Sequence, residues 1–593
     1  MKMLLVHPDD SAEVGPWAET TWDLIADLGW SGSHAYAQQK QRLGCSIISI
    51  YELLDHDTHR DRLRDLLAVG LNQLVDSESI DWWEVFSSCL YDSLGQLLML
   101  SALAERIPEQ AEIFTTRANG ATRTLSILLQ REIQSLSKDR RASIRTRTRT
   151  FLKKLAVLRP SQVFEIAFDK WDADYQFRRH VSRRPSNSSE PVVLLPSAYE
   201  NVSRIQIEYA QMLPHRRFLL VVTRLSGRRV KLPPNVVLRS LAAYAPSVSA
   251  ATEVERKELL AKWEQLKSRR FVPNRLLGAG VQQHMFDLFE RILKNGLRVR
   301  DAWRAVITKE SITTVLSGDE NNEFTRLPII LAKARNLQTV SCNHGALNMT
   351  LGLRKQCSEL YLASGDMARD YMVQWCGLSA GRVVMGAPQN GSSLALQERQ
   401  RRQDWIVFFS SPYEISSART QVFYSEILPE LCALASHTNR RVVVKLHPFE
   451  SLRKRKAMID RAVTAVHKEV IEMRQGPMSS DVLERAWFTV TVNSSVAVES
   501  TINGVPCFLC AWFDGDWSDY GKQLAKYSAG HPLNSPLEIR HVPELLDQLK
   551  ITEATRRTLL SPISPAFLGS ILFASRSPQS ETLNRNQCRY CDR

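Results

Sequence analysis

Two adjacent serines carry the first chemical signal in this chain. Ser494 and Ser495 follow the strand-like run WFTVTVN and precede a helical stretch closed by Gly504 and Pro506. The free N–H groups and positive dipole end of a helix N-terminus favour an anion. One serine as N-cap stabilises a helix by about 1 kcal/mol, and that accounts for one of the two. The second hydroxyl adds a donor suited to phosphate. Glu499 stands one turn along the same helix, where a carboxylate can accept from ribose hydroxyls. A surface ion pair is the plainer account of it.

Histidines and carboxylates end other strand-like runs. His447 closes VVVKLHP, and Pro448 restricts it to extended geometry. An imidazole held there can donate to a phosphate or protonate it as a bond to it breaks. Lys445 is two residues earlier, on the same face of the strand. His344-Gly345 ends TVSCNHG, and Asp319-Glu320 ends TVLSGDE. Either group could take a proton from a hydroxyl. The competing account is structural: a helix cap near Phe324 for the acidic pair, a core hydrogen-bond donor for His344. Gly386 and Ser410 close two further runs, VVMGAP and WIVFFSS.

Ligands of open α/β sheets bind at the carboxyl ends of the strands, so the framework matters. Strand-like runs alternate with helical patterns along most of the chain, which predicts parallel sheets. KMLLVHP reads as a strand, WAETTWDLIADLGW as a helix and CSIISIYELL as the next strand. Ser87–Ile107 reads as one long buried helix. The predicted fold is α/β and GT-B-like, two Rossmann-like domains facing across a cleft. The expected boundaries are 1–350 for an N-terminal Rossmann-like domain, 351–575 for a C-terminal Rossmann-like domain and 576–593 for a polar tail. A basic helical insertion at about 137–190 interrupts the first domain.

Composition narrows the class. The 593 residues exceed what one core accommodates, and 44% hydrophobic with 24% charged residues is ordinary for a globular protein. No apolar run approaches the ~18 residues of a membrane span, and MKMLLVHPDD reads as a first strand, not a signal peptide. Ten scattered cysteines suit reduced thiols in the cytoplasm. Cys507/Cys510 lies in a strand-like run and Cys588/Cys591 in the tail, at a separation that fits no common zinc module. Asp514-Gly515-Asp516 reads as a turn. No metal and no cofactor is expected. Much of the +14 net charge lies in Lys138–Arg184, a solvated surface or a contact for an anionic membrane. No base-reading motif appears, so nucleic acid is not expected.

Taken in order, CNHG, GDMARDYM, VVMGAPQ, VKLHP and NSSVAVESTINGVP resemble bacterial GT-B glycosyltransferases of surface and capsule polysaccharide synthesis. Teichoic-acid glycerophosphotransferases and bacterial sialyltransferases are more distant relatives. The resemblance spans about Ser311 to Leu509. It implies that His447, Pro448, Ser494 and Ser495 hold the phosphate of a CMP- or CDP-linked donor, and that His344 corresponds to the HG histidine of the glycerophosphotransferases. In sialyltransferases a glycine follows the acidic pair, whereas Gly318 precedes Asp319 and Glu320 here. The base is therefore left among His344, Asp319 and Glu320. The implied activity is metal-independent transfer of a sugar or polyol phosphate from a nucleotide-activated donor to a polysaccharide or glycolipid acceptor, in the cytoplasm or at the inner membrane. Two rivals share the frame: a non-hydrolysing sugar-nucleotide epimerase and a non-catalytic binding component of an assembly complex.

Overall fold

The computed structural model describes residues 1–7, 10, 17–28, 46–50, 53–137, 190–224, 227, 230–245, 249–320, 323–342, 345, 347, 358–388, 403–410, 417–447, 450–476, 480–513 and 520–573. The strands form three sheets. The first contains β1 (Lys2–Val6), β2 (Leu24–Asp27), β3 (Ser46–Ser49), β4 (Glu112–Thr115) and β5 (Gln134–Ser135). The second contains β6 (Val192–Ser197), β7 (Arg217–Val222), β8 (Val236–Ser240), β9 (Ile312–Ser317), β10 (Gln338–Cys342), β11 (Leu360–Ala363) and β12 (Val383–Met385). The third contains β13 (Trp405–Phe409), β14 (Arg441–Lys445), β15 (Ile471–Arg474), β16 (Ala486–Thr491), β17 (Cys507–Cys510) and β18 (His531–Leu533).

All three are doubly wound. Their orders are β3-β2-β1-β4-β5, β12-β11-β10-β9-β6-β7-β8 and β15-β14-β13-β16-β17-β18, with parallel pairing throughout. Each sheet grows one way from its first strand and then reverses. The switch points lie between β1 and β4, β6 and β9, and β13 and β16. Strands covered on both faces carry near-continuous apolar runs. Val192–Ser197 and Trp405–Phe409 accordingly have no exposed residue.

The second and third sheets are joined by the chain itself, which returns from the third to the second. Ala387 donates to the Ser561 carbonyl at 2.9 Å and accepts from Ile563 N at 2.9 Å. The helix Pro565–Leu572 then places Leu568, Ile571 and Leu572 in the core with Val193, Leu195 and Leu316. Gly365 permits the crossing, since a Cβ there would meet the Leu559 carbonyl oxygen at 2.5 Å. A second apolar cluster joins the pair, with Tyr361, Met367 and Tyr371 packed on Leu509, Tyr520 and Leu524. Gln523 Nε2 donates to Met367 O at 3.0 Å and to Asp370 Oδ2 at 2.9 Å.

The first sheet is packed against the second through a shared core. Trp83 stacks on Trp263 at 6.2 Å between centroids. Buried Arg300 pairs with Asp76, Glu255 and Asp301, each at 2.8 Å. No helix among the described residues is long and apolar enough to cross a membrane.

Residues 2–135 form a sheet of their own, and the second sheet begins at Val192. β10 pairs β11 and β11 pairs β12, which keeps 360–385 with the second sheet. One expectation is corrected. The helix expected in WAETTWDLIADLGW is a turn followed by β2, which pairs β1 from Met3↔Leu24 to Val6↔Asp27. Main-chain pairing with β1 outweighs the helical spacing of its apolar residues. A smaller difference concerns Ser87–Ile107, where helices Trp82–Ser87 and Tyr91–Arg106 are separate. The basic insertion and the polar tail lie outside the described residues.

Candidate functional site

Ser410 directly follows β13, and Asn493-Ser494-Ser495 closely follow β16. These are the two strand ends that flank the switch point of the third sheet, where doubly wound folds hold their ligands. The helix after the serines, Val496–Ile502, is short. Ser495 is its N-cap but takes an αR backbone and makes no side-chain capping bond. Ser494 Oγ accepts from Val496 N at 3.4 Å, a long contact. Both serines are half-buried. Capping therefore employs neither hydroxyl fully.

Beside them, the turn after β14 is held by a residue that sequence reasoning missed. Glu450 is buried, with one carboxylate oxygen accepting from Ser410 Oγ at 2.8 Å and Arg455 Nε at 2.7 Å. The other oxygen accepts from the His447 backbone N at 2.7 Å. Ser410 Oγ also lies 2.6 Å from Tyr424 Oη. The Ser410 hydroxyl is thus committed to the frame and is not a free donor. His447 is half-buried. Burial holds its imidazole below the ordinary value, Glu450 opposes that and Lys445 adds to it. Lys445 is buried, and its ammonium donates to Gly476 O. Burial and Arg474 depress its pKa.

The second sheet presents its own strand ends. Asp319 and Glu320 follow β9 and are both buried. Asp319 O accepts from Ser317 Oγ and Thr325 Oγ1, each at 3.0 Å. The Glu320 carboxylate is engaged on both oxygens. Oε1 accepts from the Ser358 amide at 3.2 Å and from the Ser358 hydroxyl, and Oε2 accepts from Tyr361 Oη at 3.0 Å. This carboxylate ties the end of β9 to β11. Gly386 serves packing: its carbonyl accepts from Tyr209 Oη at 2.5 Å, and a Cβ would meet Ile563 Cδ1 at 3.2 Å. His344 and Pro448 lie outside the described residues, as does Asp514-Gly515-Asp516.

Glu499 lies within electrostatic range of the second sheet's first helix. It is half-buried on the helix after the serines. Burial pushes its carboxyl above the ordinary range, and Arg204 works against that. Arg204 belongs to Glu200–Gln211, the helix that follows β6. Glu208 lies one turn beyond Arg204 on that helix, and burial raises it too, with Arg204 opposing and Glu499 adding to the rise. The Glu208 charge also acts on the buried Cys342 thiol, which ends β10 and is raised chiefly by burial. Sequence reasoning missed Glu208 because Arg204 and Glu208, four apart, read as a surface ion pair on a helix.

No family model matches the chain, and no curated protein matches it by sequence. Among solved structures, the chain is similar to a putative UDP-N-acetylglucosamine 2-epimerase from Listeria monocytogenes, at 12% identity, TM-score 0.40, and coverage of 68% of this chain and 97% of that one. It is similar to the wall teichoic acid polymerase TagF at 11% identity, TM-score 0.37, and coverage of 75% and 99%. It is also similar to a glycosyltransferase from Rickettsia africae at 10% identity, TM-score 0.38, and coverage of 65% and 99%. At these identities and scores no activity or residue role is carried over.

Proposed function

We propose that this chain is a GT-B transferase that moves a sugar, or a polyol phosphate, from a nucleotide-activated donor to a polysaccharide or glycolipid acceptor. The observation that carries the reading is that Ser494 and Ser495 follow β16 at the switch point of the third sheet, half-buried and with hydroxyls that capping does not fully use. Glu499, on the helix after them, lies within electrostatic range of Arg204 and Glu208 on the helix that follows β6. The ordered motifs in the sequence supply the chemistry. Ser494 and Ser495, with hydroxyls not fully used as caps, take the donor phosphate, and His447 donates to it from the end of β14, on the other side of β13. Glu499 meets the nucleoside. A CMP- or CDP-linked donor fits the motif resemblance.

In sugar transfer, the acceptor oxygen bonds to the anomeric carbon as the bond from that carbon to the donor phosphate breaks. The acceptor proton passes to a base on the second sheet. His344 and Asp319 are the candidates, since Glu320 is occupied by Ser358 and Tyr361. The leaving phosphate keeps the electron pair, and hydroxyl and imidazole donors stabilise its charge. This scheme uses no metal. The basic segment Lys138–Arg184 holds the enzyme at an anionic membrane, where lipid-linked acceptors reside; vesicle sedimentation that is absent or insensitive to salt would remove that part.

The test is turnover of nucleotide-sugars with and without acceptor glycans. Acceptor-dependent release of nucleotide, lost in Ser494→Ala/Ser495→Ala, is expected. An isomerised donor formed without acceptor would replace the transferase by an epimerase, and binding without turnover would replace it by a binding protein.

A further inference from the structure

We propose that Glu450 is a positioning residue of the donor wall: its buried carboxylate fixes the turn that presents the His447 imidazole and locks that turn to the end of β13 through Ser410. The proposal rests on the donor-site reading above.

The geometry is a closed ring. Glu450 N donates to His447 O at 2.9 Å, while His447 N donates back to a Glu450 carboxylate oxygen at 2.7 Å. The turn is therefore tied in both directions between the same two residues. The second carboxylate oxygen takes Ser410 Oγ at 2.8 Å from β13 and Arg455 Nε at 2.7 Å from the helix Leu452–Ala462. Gln475 Nε2 donates to the Glu450 carbonyl at 2.8 Å, which adds the end of β15. One residue thus gathers three adjacent strand ends.

A buried ion pair is a poor device for stability alone, because desolvation offsets much of its attraction, and fixing one arrangement is its better-attested use. The Arg455 and Glu450 side chains are 0% and 1% exposed. An apolar pair would fill the same space but could not bind the His447 amide or the Ser410 hydroxyl. The carboxylate charge also acts on the imidazole. Among the described residues, the charged groups that act on His447 are Glu450 and Lys445 of β14, with Arg474 of β15 acting on Lys445 and Arg455 paired to Glu450. Glu450 is the only one of these that favours the imidazolium.

The test needs no substrate. Imidazole titration by NMR on histidine-labelled full-length protein, with His447→Gln to assign the signal, compares wild type with Glu450→Gln and Glu450→Gln/Arg455→Met. The second variant removes both charges and keeps the fold if the first leaves Arg455 stranded. The His447 midpoint is expected to move to lower pH in each variant that folds, because the nearby carboxylate is gone. An unchanged or raised midpoint in a folded variant overturns the proposal. If neither variant folds, amide exchange in the wild type decides: protection at His447 N supports the ring, and exchange at the rate of an open turn overturns it. Stabilisation by CMP, CDP, UDP or GDP, measured alongside, separates the two claims. A shifted histidine with no nucleotide binding refutes the donor site alone, and nucleotide binding with an unmoved histidine refutes the positioning role alone.

Discussion

The second and third sheets share an order and a switch point, yet their strand ends are used differently. Each buries a glutamate there. Glu320 spends both oxygens on Ser358 and Tyr361. Glu450 spends both on Ser410, Arg455 and the His447 main chain. Beside Glu450, however, the third sheet leaves Ser495 without a capping bond and Ser494 with a long one. Buried carboxylates build the frame, and the half-buried hydroxyls of Ser494 and Ser495 keep capacity that the frame does not use. A strand-end residue that looks chemical in sequence is therefore more informative when its own partners leave it capacity.

The comparison breaks most visibly at the buried ion pair. Glu450→Ala strands Arg455 in the core and is expected to cost about 3–5 kcal/mol in urea unfolding. A loss below 1 kcal/mol would mean that the ring is not formed. Next, Gly365→Ala drives a methyl against the Leu559 carbonyl and is expected to cost about 1–3 kcal/mol by overpacking, read as a lower unfolding midpoint. Unchanged stability would contradict the close crossing of the return segment. Glu320→Gln should cost about 1–3 kcal/mol, because it disturbs the carboxylate that serves three buried donors. It should leave nucleotide binding intact, and loss of binding with unchanged stability would move Glu320 from frame to site.

Ser495→Ala should change stability by less than 0.5 kcal/mol, where an ordinary N-cap loses about 1 kcal/mol. A full capping loss would return this serine to a structural role. The smallest effect is on pH dependence. Glu208 and Glu499 have raised folded-state values, so the folded state holds more protons than the unfolded one between the ordinary carboxyl range and the raised values. Stability should fall as pH rises through that window. Glu499→Gln should flatten the fall, and an unchanged slope would show that Glu499 is not held in this way.

Much of the frame was legible because buried parallel strands advertise themselves. VVLLP and WIVFF are apolar throughout, and each belongs to a central strand. The first sheet was harder to separate. Its strands are two to five residues long, and one of them hid in the helical spacing of WAETTWDLIADLGW. Strand order, and so the switch points, has no local signal at all. The strand-end positions of the serine pair and His447 were legible, because hydroxyls and an HP step after an apolar run follow from local rules. The commitments of Glu320 were not visible, since Ser358 and Tyr361 are 38 and 41 residues away. Glu450 was closer to hand, three residues after His447, but a glutamate after a turn reads as surface unless its buried arginine is known.

The central claim is that Ser494 and Ser495 hold the phosphate of a nucleotide-linked donor. Its most direct test is thermal stabilisation of the purified chain by CMP-, CDP-, UDP- and GDP-compounds, with Ser494→Ala/Ser495→Ala as the comparison. A ligand that binds only the folded state raises the midpoint by an amount set by its concentration relative to Kd. The account predicts a rise with one nucleotide class that is lost in the double variant while its own midpoint stays close to wild type. No rise with any nucleotide, or a rise that survives in the double variant, would contradict it.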